Sequence, residues 1–149
     1  EKGEKVWSIL IDIYCINDDG NVIDASALGA IAALKVAKFP VYDKKNEVVK
    51  YGDFTKDHLP LTECVPLAMT FYKIGETLIL DPNREEEDSS EARLTLSISQ
   101  PKKDHIINSM QKGGITSITI DELNNIIDES EKSYDKLFPI IEKKIGALK

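Results

Sequence analysis

The chain has 149 residues, 42% of them hydrophobic, which is enough for one ordinary domain with a buried core. Its net charge of −7 and pI near 4.9 exclude a free-standing nucleic-acid-binding module, because such modules carry a clustered excess of Lys and Arg. No apolar run approaches the roughly 20 residues that span a bilayer and no signal peptide is visible, so the composition predicts a cytoplasmic protein with no membrane partner.

The first predicted element is a β-strand over Val6–Ile16, which follows a charged opening stretch. Both of its faces are largely apolar, so we predict a central strand that is covered on both sides. The residues 17–21 that come next predict a turn, because Asp and Asn side chains accept local backbone hydrogen bonds and Gly20 permits a positive φ. One face of the predicted strand carries Trp7, Ile9, Ile11, Ile13 and Cys15.

A helix is predicted over Asp24–Lys38, with Asp24 as its N-cap and Pro40 as its end. It is rich in Ala and Gly, and such small side chains allow a helix to approach a neighbouring element closely. The polar stretch 41–60 contains two predicted turns, a hairpin turn at residues 44–46 and a second turn at Gly52-Asp53.

Four further strands are predicted over residues 65–74, 77–80, 92–99 and 105–110. The first two are joined through Gly75-Glu76, a hairpin signal, and the third alternates cleanly between apolar and polar residues. The acidic run at residues 85–88 is interpreted as a solvated loop, since charge runs are usually solvated. Paired carboxylates can also act as general acids or bind a divalent cation, and that alternative stays open.

The sequence Thr119-Ile120-Asp121-Glu122 predicts a capping box, because the Thr119 hydroxyl can accept the backbone N–H of Glu122 while the Glu122 carboxylate reaches back. The long C-terminal helix that begins here carries an apolar stripe, and Pro139 predicts a kink in it. The order of elements predicts an α+β fold, with a mixed or antiparallel sheet, helices on one face and a long C-terminal helix.

Two local features could carry chemistry. The strand-to-helix turn over residues 18–26 could bind phosphate through backbone N–H groups at a helix N-terminus. Asp18, Asp19 and Asp24 place negative charge there, which favours an ordinary tight turn. Arg93 needs a partner if it is covered, and the plain expectation is an ion pair with one of Glu85, Glu86, Glu87 or Glu91.

The remaining polar residues show little catalytic patterning. His58 and His105 have no motif spacing to a Ser or Cys nucleophile, so both are predicted to be surface or structural residues. Cys15 and Cys64 belong to no Cys-x-x-Cys or His-Cys cluster, and we predict free thiols, no metal site and no cofactor. The weak candidates for RNA contact are a small basic patch of His105 with Lys102, Lys103 and Lys112.

The order and spacing of several motifs resemble the second half of an RNase PH domain. These motifs are Ile11-Asp12-Ile13, Asp19-Gly20-Asn21-Val22-Ile23-Asp24-Ala25-Ser26-Ala27-Leu28, Phe39-Pro40 and Leu78-Ile79-Leu80-Asp81-Pro82. Two further motifs resemble the non-catalytic ring subunit of the archaeal exosome, namely Ala92-Arg93-Leu94-Thr95 and Met110-Gln111-Lys112-Gly113-Gly114. The resemblance implies that residues 1–149 are the C-terminal half of one RNase PH-like domain, whose first half is absent from the chain.

The resemblance also implies that the chain is not an enzyme. Active members degrade RNA from its 3′ end with inorganic phosphate as the nucleophile, and they hold that phosphate with the Thr and Arg of an Asp-Gly-Gly-Thr-Arg turn. Val22 and Ile23 stand at those two positions here, and neither side chain donates a hydrogen bond. Arg93 stands where active members carry a catalytic Asp, and a guanidinium cannot act as a general acid near neutral pH.

The implied function is that of a structural subunit of the archaeal exosome ring, which supports 3′-to-5′ RNA degradation and processing. The implied partners are a catalytic RNase PH-type subunit in a hetero-hexameric ring, RNA-binding cap proteins, and RNA reached through the assembled complex. Two alternatives stay open: an active phosphorolytic 3′–5′ exoribonuclease of the same family, and an acidic α+β adaptor unrelated to RNA. The isolated chain is also expected to leave an apolar surface uncovered unless another copy or another chain covers it.

Overall fold

The computed structural model describes residues 3–147, which form three α-helices and six β-strands. In chain order the elements are α1 (Val22–Val36), β1 (Lys38–Asp43), β2 (Val48–His58), β3 (Leu67–Ile74), β4 (Thr77–Leu80), α2 (Arg84–Asp88), β5 (Ala92–Ser99), β6 (Ile106–Gly114) and α3 (Ile120–Gly146).

The main layer is a four-stranded antiparallel sheet in the order β4-β3-β5-β6. Its apolar face packs against α3 and against Ile31 of α1, so both helices lie on one side of the sheet. Each large side chain that is fully buried there contributes about 1.5–3 kcal/mol through the hydrophobic effect. This arrangement confirms the predicted α+β class. The buried core residues are Leu67, Met69, Phe71, Leu94, Leu96, Ile98, Ile126 and Tyr134.

Helix α3 begins at the predicted capping box, in which Thr119 and Glu122 exchange hydrogen bonds in both directions. Its apolar stripe covers β3 and β5, and the buried Tyr134 hydroxyl donates to the Val65 carbonyl at 3.0 Å. The helix continues through Pro139, which is exposed, so the carbonyl that loses its helical N–H partner can bind water. The kink at Pro139 stays a prediction.

The predicted central strand over Val6–Ile16 is wrong. In the described chain, residues 5–15 belong to neither sheet, and Leu10 and Tyr14 are 84% and 85% exposed. A strand exists only where a neighbour accepts and donates its ladder hydrogen bonds, and none of the described strands lies beside this segment. The segment therefore has the pattern of a buried strand without the partners that would make it one.

The helix after this segment begins earlier than predicted, at Val22. Asn21 adopts the left-handed conformation (φ 52°) just before it, and Asp24 is not the N-cap because its carboxylate turns toward β3 instead. The predicted hairpin turn is confirmed between β1 and β2 at residues 44–47. The turn predicted at Gly52-Asp53 is wrong, because these residues lie inside β2 where irregular pairing with β1 absorbs the extra length.

The acidic run is not a plain loop, since it forms the short helix α2. Asn83 caps this helix in a capping box with Glu86, and the acidic residues of its first turn face the positive end of the helix dipole. The predicted strand at 65–74 begins slightly later, at Leu67, and the strand predicted at 105–110 extends to Gly114.

Candidate functional site

The turn before α1 packs closely against the chain before α2. Gly20 has φ +96°, and a Cβ at this position would lie 2.5 Å from the Pro82 carbonyl oxygen. Asp18 accepts the Gly20 N–H at 3.1 Å and forms an ion pair with Arg84 at 2.8 Å. Both the positive φ and the close approach to Pro82 require glycine at this position. The turn before α1 and the chain before α2 are joined by this close contact and by the Asp18–Arg84 ion pair.

Asn21 lies at the centre of this contact and is buried. Its backbone N–H donates to Glu87 Oε2 at 2.8 Å. Its side-chain Nδ2 donates to Asp81 Oδ1 at 2.9 Å and to Asp24 Oδ2 at 3.1 Å. The Asn21 N–H, one of the donors at the start of α1, is therefore taken by a carboxylate of the same chain.

Asp24 ties α1 to β3. Its carboxylate accepts the Thr70 N–H at 2.8 Å and the Thr70 hydroxyl at 2.7 Å, and the same hydroxyl lies 2.9 Å from that of Thr95. The Thr70 N–H is available because the pairing between β3 and β4 stops at Phe71. Burial raises the pKa of Asp24 above its ordinary value, although the hydrogen bonds from Thr70 oppose this shift.

Tyr72 and Arg93 are register neighbours on β3 and β5, on the face of the sheet away from α3. The Tyr72 hydroxyl donates to Glu87 Oε1 at 3.1 Å. Burial, together with this hydrogen bond, raises the pKa of Tyr72 to about 12, although the Arg93 charge opposes the shift.

Arg93 lies over the backbone of Gly113, where an added Cβ would come within 2.8 Å of its Nε. Its Nη1 is buried and has no hydrogen-bond partner within residues 3–147. The predicted ion pair of Arg93 with one of Glu85, Glu86, Glu87 or Glu91 is wrong, since no such pair forms within residues 3–147. The physical reason is that Glu87 is already engaged with Asn21 and Tyr72.

Val22 and Ile23 are the first two residues of α1. Val22 lines an open cavity of about 440 Å³ between α1 and the extended N-terminal segment, and Ile23 is half-buried. Tyr72 and Arg93 lie on the face of the sheet away from α3, which we call the polar face. Glu87 links the turn before α1 to this face, because its carboxylate contacts both Asn21 and Tyr72. The roles of Val22, Ile23 and Arg93 stay predictions.

The three lysines are placed elsewhere. Lys102 and Lys103 lie in the turn between β5 and β6, at the end of β5 opposite to Arg93. Lys112 is opposite Leu94 in the register, so it belongs to the other face of the sheet, and its Nζ donates to the Gly114 carbonyl at 2.8 Å. None of these lysines joins the polar face around Arg93, and RNA contact by them stays a prediction.

Other chemistry-bearing residues have structural surroundings. His105 Nε2 lies 3.0 Å from Asp135 Oδ1, and its ring packs edge-on against Tyr134, which fits the predicted structural role. Within residues 3–147, no group of three or more His, Cys, Asp or Glu side chains could hold a metal ion. No helix in that same range is both long and apolar enough to cross a membrane.

The sequence interpretation missed the residues that organise the site, namely Asn21, Tyr72 and Glu87. The signal for Glu87 was present in the Asn83-to-Glu86 capping box, which marks the acidic run as a helix that presents its carboxylates in fixed directions. No local signal identifies Tyr72, because its partner lies on a different element.

Sequence models of the 3′ exoribonuclease family match residues 1–40 (domain 1) and residues 64–133 (domain 2). The exosome complex component Rrp42 of Methanocella arvoryzae is 40% identical over 127 residues, covering 85% of this chain and 45% of that protein.

Solved structures are also similar. An archaeal exosome core chain superposes with a TM-score of 0.69 at 29% identity, covering 85% of this chain and 47% of that one. A chain of the Archaeoglobus fulgidus exosome with RNA bound to the active site superposes with a TM-score of 0.66 at 29% identity, covering 83% and 44%. The chain spans about half the length of the curated relatives that it matches.

Proposed function

We propose a function from the premise that this chain belongs to the 3′ exoribonuclease family of RNase PH-type proteins. The chain is a structural, non-catalytic subunit of an exosome ring, and it supports 3′-to-5′ RNA degradation and processing beside a catalytic partner. The similarity to proteins named as exosome complex component Rrp42 supports this role.

One observation carries the non-catalytic part of the proposal: the two positions where active members hold phosphate have aliphatic side chains in this chain. Val22 and Ile23 offer only aliphatic side chains, and the Asn21 N–H is already donated to Glu87. Arg93 occupies the position where a general acid is expected, and its guanidinium stays charged near neutral pH.

The similarity to exosome subunits supports the proposed partners, and the charge of the chain bears on how RNA is reached. With a net charge of −7, this chain does not attract RNA by itself, so the positive field has to come from other subunits. We propose a catalytic RNase PH-type subunit as the ring neighbour, with RNA-binding cap proteins attached and RNA reached only through the complex. The proposed location is the cytoplasm.

We also propose that the chain supplies the C-terminal half of an RNase PH-like domain. The match of a domain 2 model to residues 64–133, together with the coverage of about half of each relative, supports this assignment. The first half of such a domain is a natural source of strands for the Val6–Ile16 segment, whose apolar side chains are exposed in the chain alone.

Activity measurements test the non-catalytic part. The purified chain, mixed with RNA and inorganic phosphate, should release no nucleoside diphosphate above the level of a protein-free control. A catalytic RNase PH-type subunit from an archaeal exosome serves as the positive control in the same assay. Clear turnover by the chain alone would favour the active exoribonuclease instead.

Assembly measurements test the ring. The chain is mixed with a polypeptide containing the first half of the Rrp42 relative from Methanocella arvoryzae and with the catalytic exosome subunit, and the mass of the product is determined by native mass spectrometry. We expect a hetero-hexameric ring that contains this chain. Recovery of only the separate components would contradict the assignment.

A further inference from the structure

We propose that the turn before α1 and the polar face of the sheet form an oxyanion pocket whose resident ligand is the chain's own Glu87 carboxylate. The pocket is defined by two donors, the Asn21 N–H and the Tyr72 hydroxyl. This inference deepens the proposed non-catalytic function and rests on it for its biological meaning. It adds that phosphate is excluded by an internal occupant as well as by the loss of phosphate-holding side chains.

Each oxygen of the Glu87 carboxylate has its own donor. Oε2 accepts the Asn21 N–H at 2.8 Å, and Oε1 accepts the Tyr72 hydroxyl at 3.1 Å. Tyr72 is 1% exposed and Asn21 is 6% exposed, so water has little access to replace either contact. A ligand with two acceptor oxygens matches this pair of donors, and both carboxylates and phosphates have that form.

The surroundings favour one anion in the pocket. The Asn21 N–H lies at the N-terminus of the fifteen-residue helix α1, where the helix dipole favours negative charge. Arg93 is the register neighbour of Tyr72, and its buried Nη1 has no hydrogen-bond partner in the described range 3–147. Asp24 and Asp81, both within hydrogen-bond distance of the Asn21 side chain, oppose the entry of a second anion.

Glu87 is delivered to the pocket by a braced segment. Helix α2 is closed at its start by the reciprocal hydrogen bonds of Asn83 and Glu86. Arg84, on the same helix, binds Asp18 of the turn at 2.8 Å. The position of α2 therefore holds the Glu87 carboxylate beside its two donors. A dissolved phosphate has to displace this intramolecular ligand to enter the pocket.

The first experiment tests the contact in the unmodified chain. The amide chemical shift of Asn21 is followed by NMR during a pH titration, in the wild type, in Glu87→Gln and in Glu85→Gln. Glu85 is an exposed residue of the same helix and serves as the matched control. We expect the Asn21 amide to lose one titration step in Glu87→Gln only. Identical titrations of the Asn21 amide in all three proteins would overturn the proposal.

The second experiment opens the pocket. Inorganic phosphate is added to the wild type, Glu87→Ala, Glu85→Ala and the double variant Glu87→Ala/Tyr72→Phe, with sodium chloride at equal ionic strength as the reference. We expect a saturable rise in Tm with phosphate in Glu87→Ala alone, lost again in the double variant. An equal rise in the wild type, or none in a folded Glu87→Ala protein, would overturn the proposal.

If Glu87→Ala does not fold, the amide titration decides the question by itself. The outcome is separate from that of the proposed function, because neither experiment requires RNA or ring assembly. A chain that assembles into an inactive ring without the Glu87 contact would disprove this inference and leave the proposed function in place.

Discussion

The N-terminal segment Val6–Ile16 and the strand β5 are both rich in apolar residues, and their environments are opposite. Only β5 alternates cleanly between apolar and polar residues. In β5, Leu96 and Ile98 are at most 1% exposed, whereas Leu10 is 84% exposed and Ile16 fully exposed in the N-terminal segment. The comparison shows that an apolar segment becomes a buried strand only where neighbouring elements pair with it and cover it.

The neighbours differ because of sequence distance. β5 pairs with β6 across a short turn and with β3 across the β4–α2 connection, so its ladders close over loops of low entropic cost. The N-terminal segment has no such partner within residues 3–147. The four-stranded sheet and α3 therefore cover each other's apolar side chains, and we call them the complete layer. The N-terminal segment has apolar side chains that no paired strand covers within residues 3–147.

Hydrogen exchange should separate the two regions most strongly. We expect the amides of Val6–Ile16 to exchange near the unfolded rate, because they lack ladder hydrogen bonds. The amides of β3 and β5 should be slower by a factor of at least about 10³, which corresponds to the lower end of domain stabilities. The measurement is amide exchange by mass spectrometry on the isolated chain. Equal protection in both regions would show that the N-terminal segment is paired in solution.

The second prediction concerns the contact between Gly20 and the Pro82 carbonyl, which lies between the two regions. Gly20→Ala should reduce the free energy of unfolding by about 3 kcal/mol or more, because it adds strain at a positive φ and a clash with the Pro82 carbonyl. Urea denaturation measures the change. Gly29→Ala is the matched control, since its site in α1 has open space and helical backbone, and it should stabilise by up to about 1 kcal/mol. If Gly20→Ala lowers the free energy of unfolding no more than Gly29→Ala does, the close packing of Gly20 against Pro82 is wrong.

A single buried hydrogen bond sharpens the description of the complete layer. Tyr134→Phe removes the donor to the Val65 carbonyl and leaves that acceptor unpaired. We expect a loss of about 1–3 kcal/mol in the free energy of unfolding, the cost of an unsatisfied buried polar group. Tyr51→Phe, at a side chain that is 93% exposed, should change nothing under the same conditions. If both variants behave alike, the Tyr134 hydroxyl is not anchored as described.

The smallest expected effect concerns Asp24, which joins the two regions through Thr70. Burial raises the pKa of Asp24 above 3.8, so the folded state binds the proton more tightly than the unfolded state. The stabilisation of the folded state by this tighter proton binding is present at pH values below 3.8, and it is lost as the pH rises through the raised pKa of Asp24. Partial exposure weakens it by solvent screening.

The check is the difference in unfolding free energy between the wild type and Asp24→Asn, measured across that pH window. The wild type should lose stability relative to the variant as the pH rises. A difference that grows in the opposite direction would mean that the hydrogen bonds from Thr70 outweigh the burial of the carboxylate.

Much of the complete layer was predictable because its signals are local. The Thr119 capping box, the β3–β4 hairpin and the alternation of β5 each depend on residues close in sequence. The acidic run was misjudged as a loop because charge content outweighed the cap at Asn83. The start of α1 was misjudged because Asp24 is a good N-cap by residue type but has a better use as an acceptor for Thr70.

By itself, the sequence determined the chemistry available at each position: aliphatic side chains at Val22 and Ile23, a permanent cation at Arg93 and the α+β class of the main layer. Only the tertiary structure decided that Glu87 takes the Asn21 N–H across 66 residues, that Arg93 has no ion pair within residues 3–147, and that Val6–Ile16 is exposed. The physical reason is that residue type sets what a side chain can bind, whereas its actual partner depends on which distant elements the packed sheet and helices bring within a few ångströms.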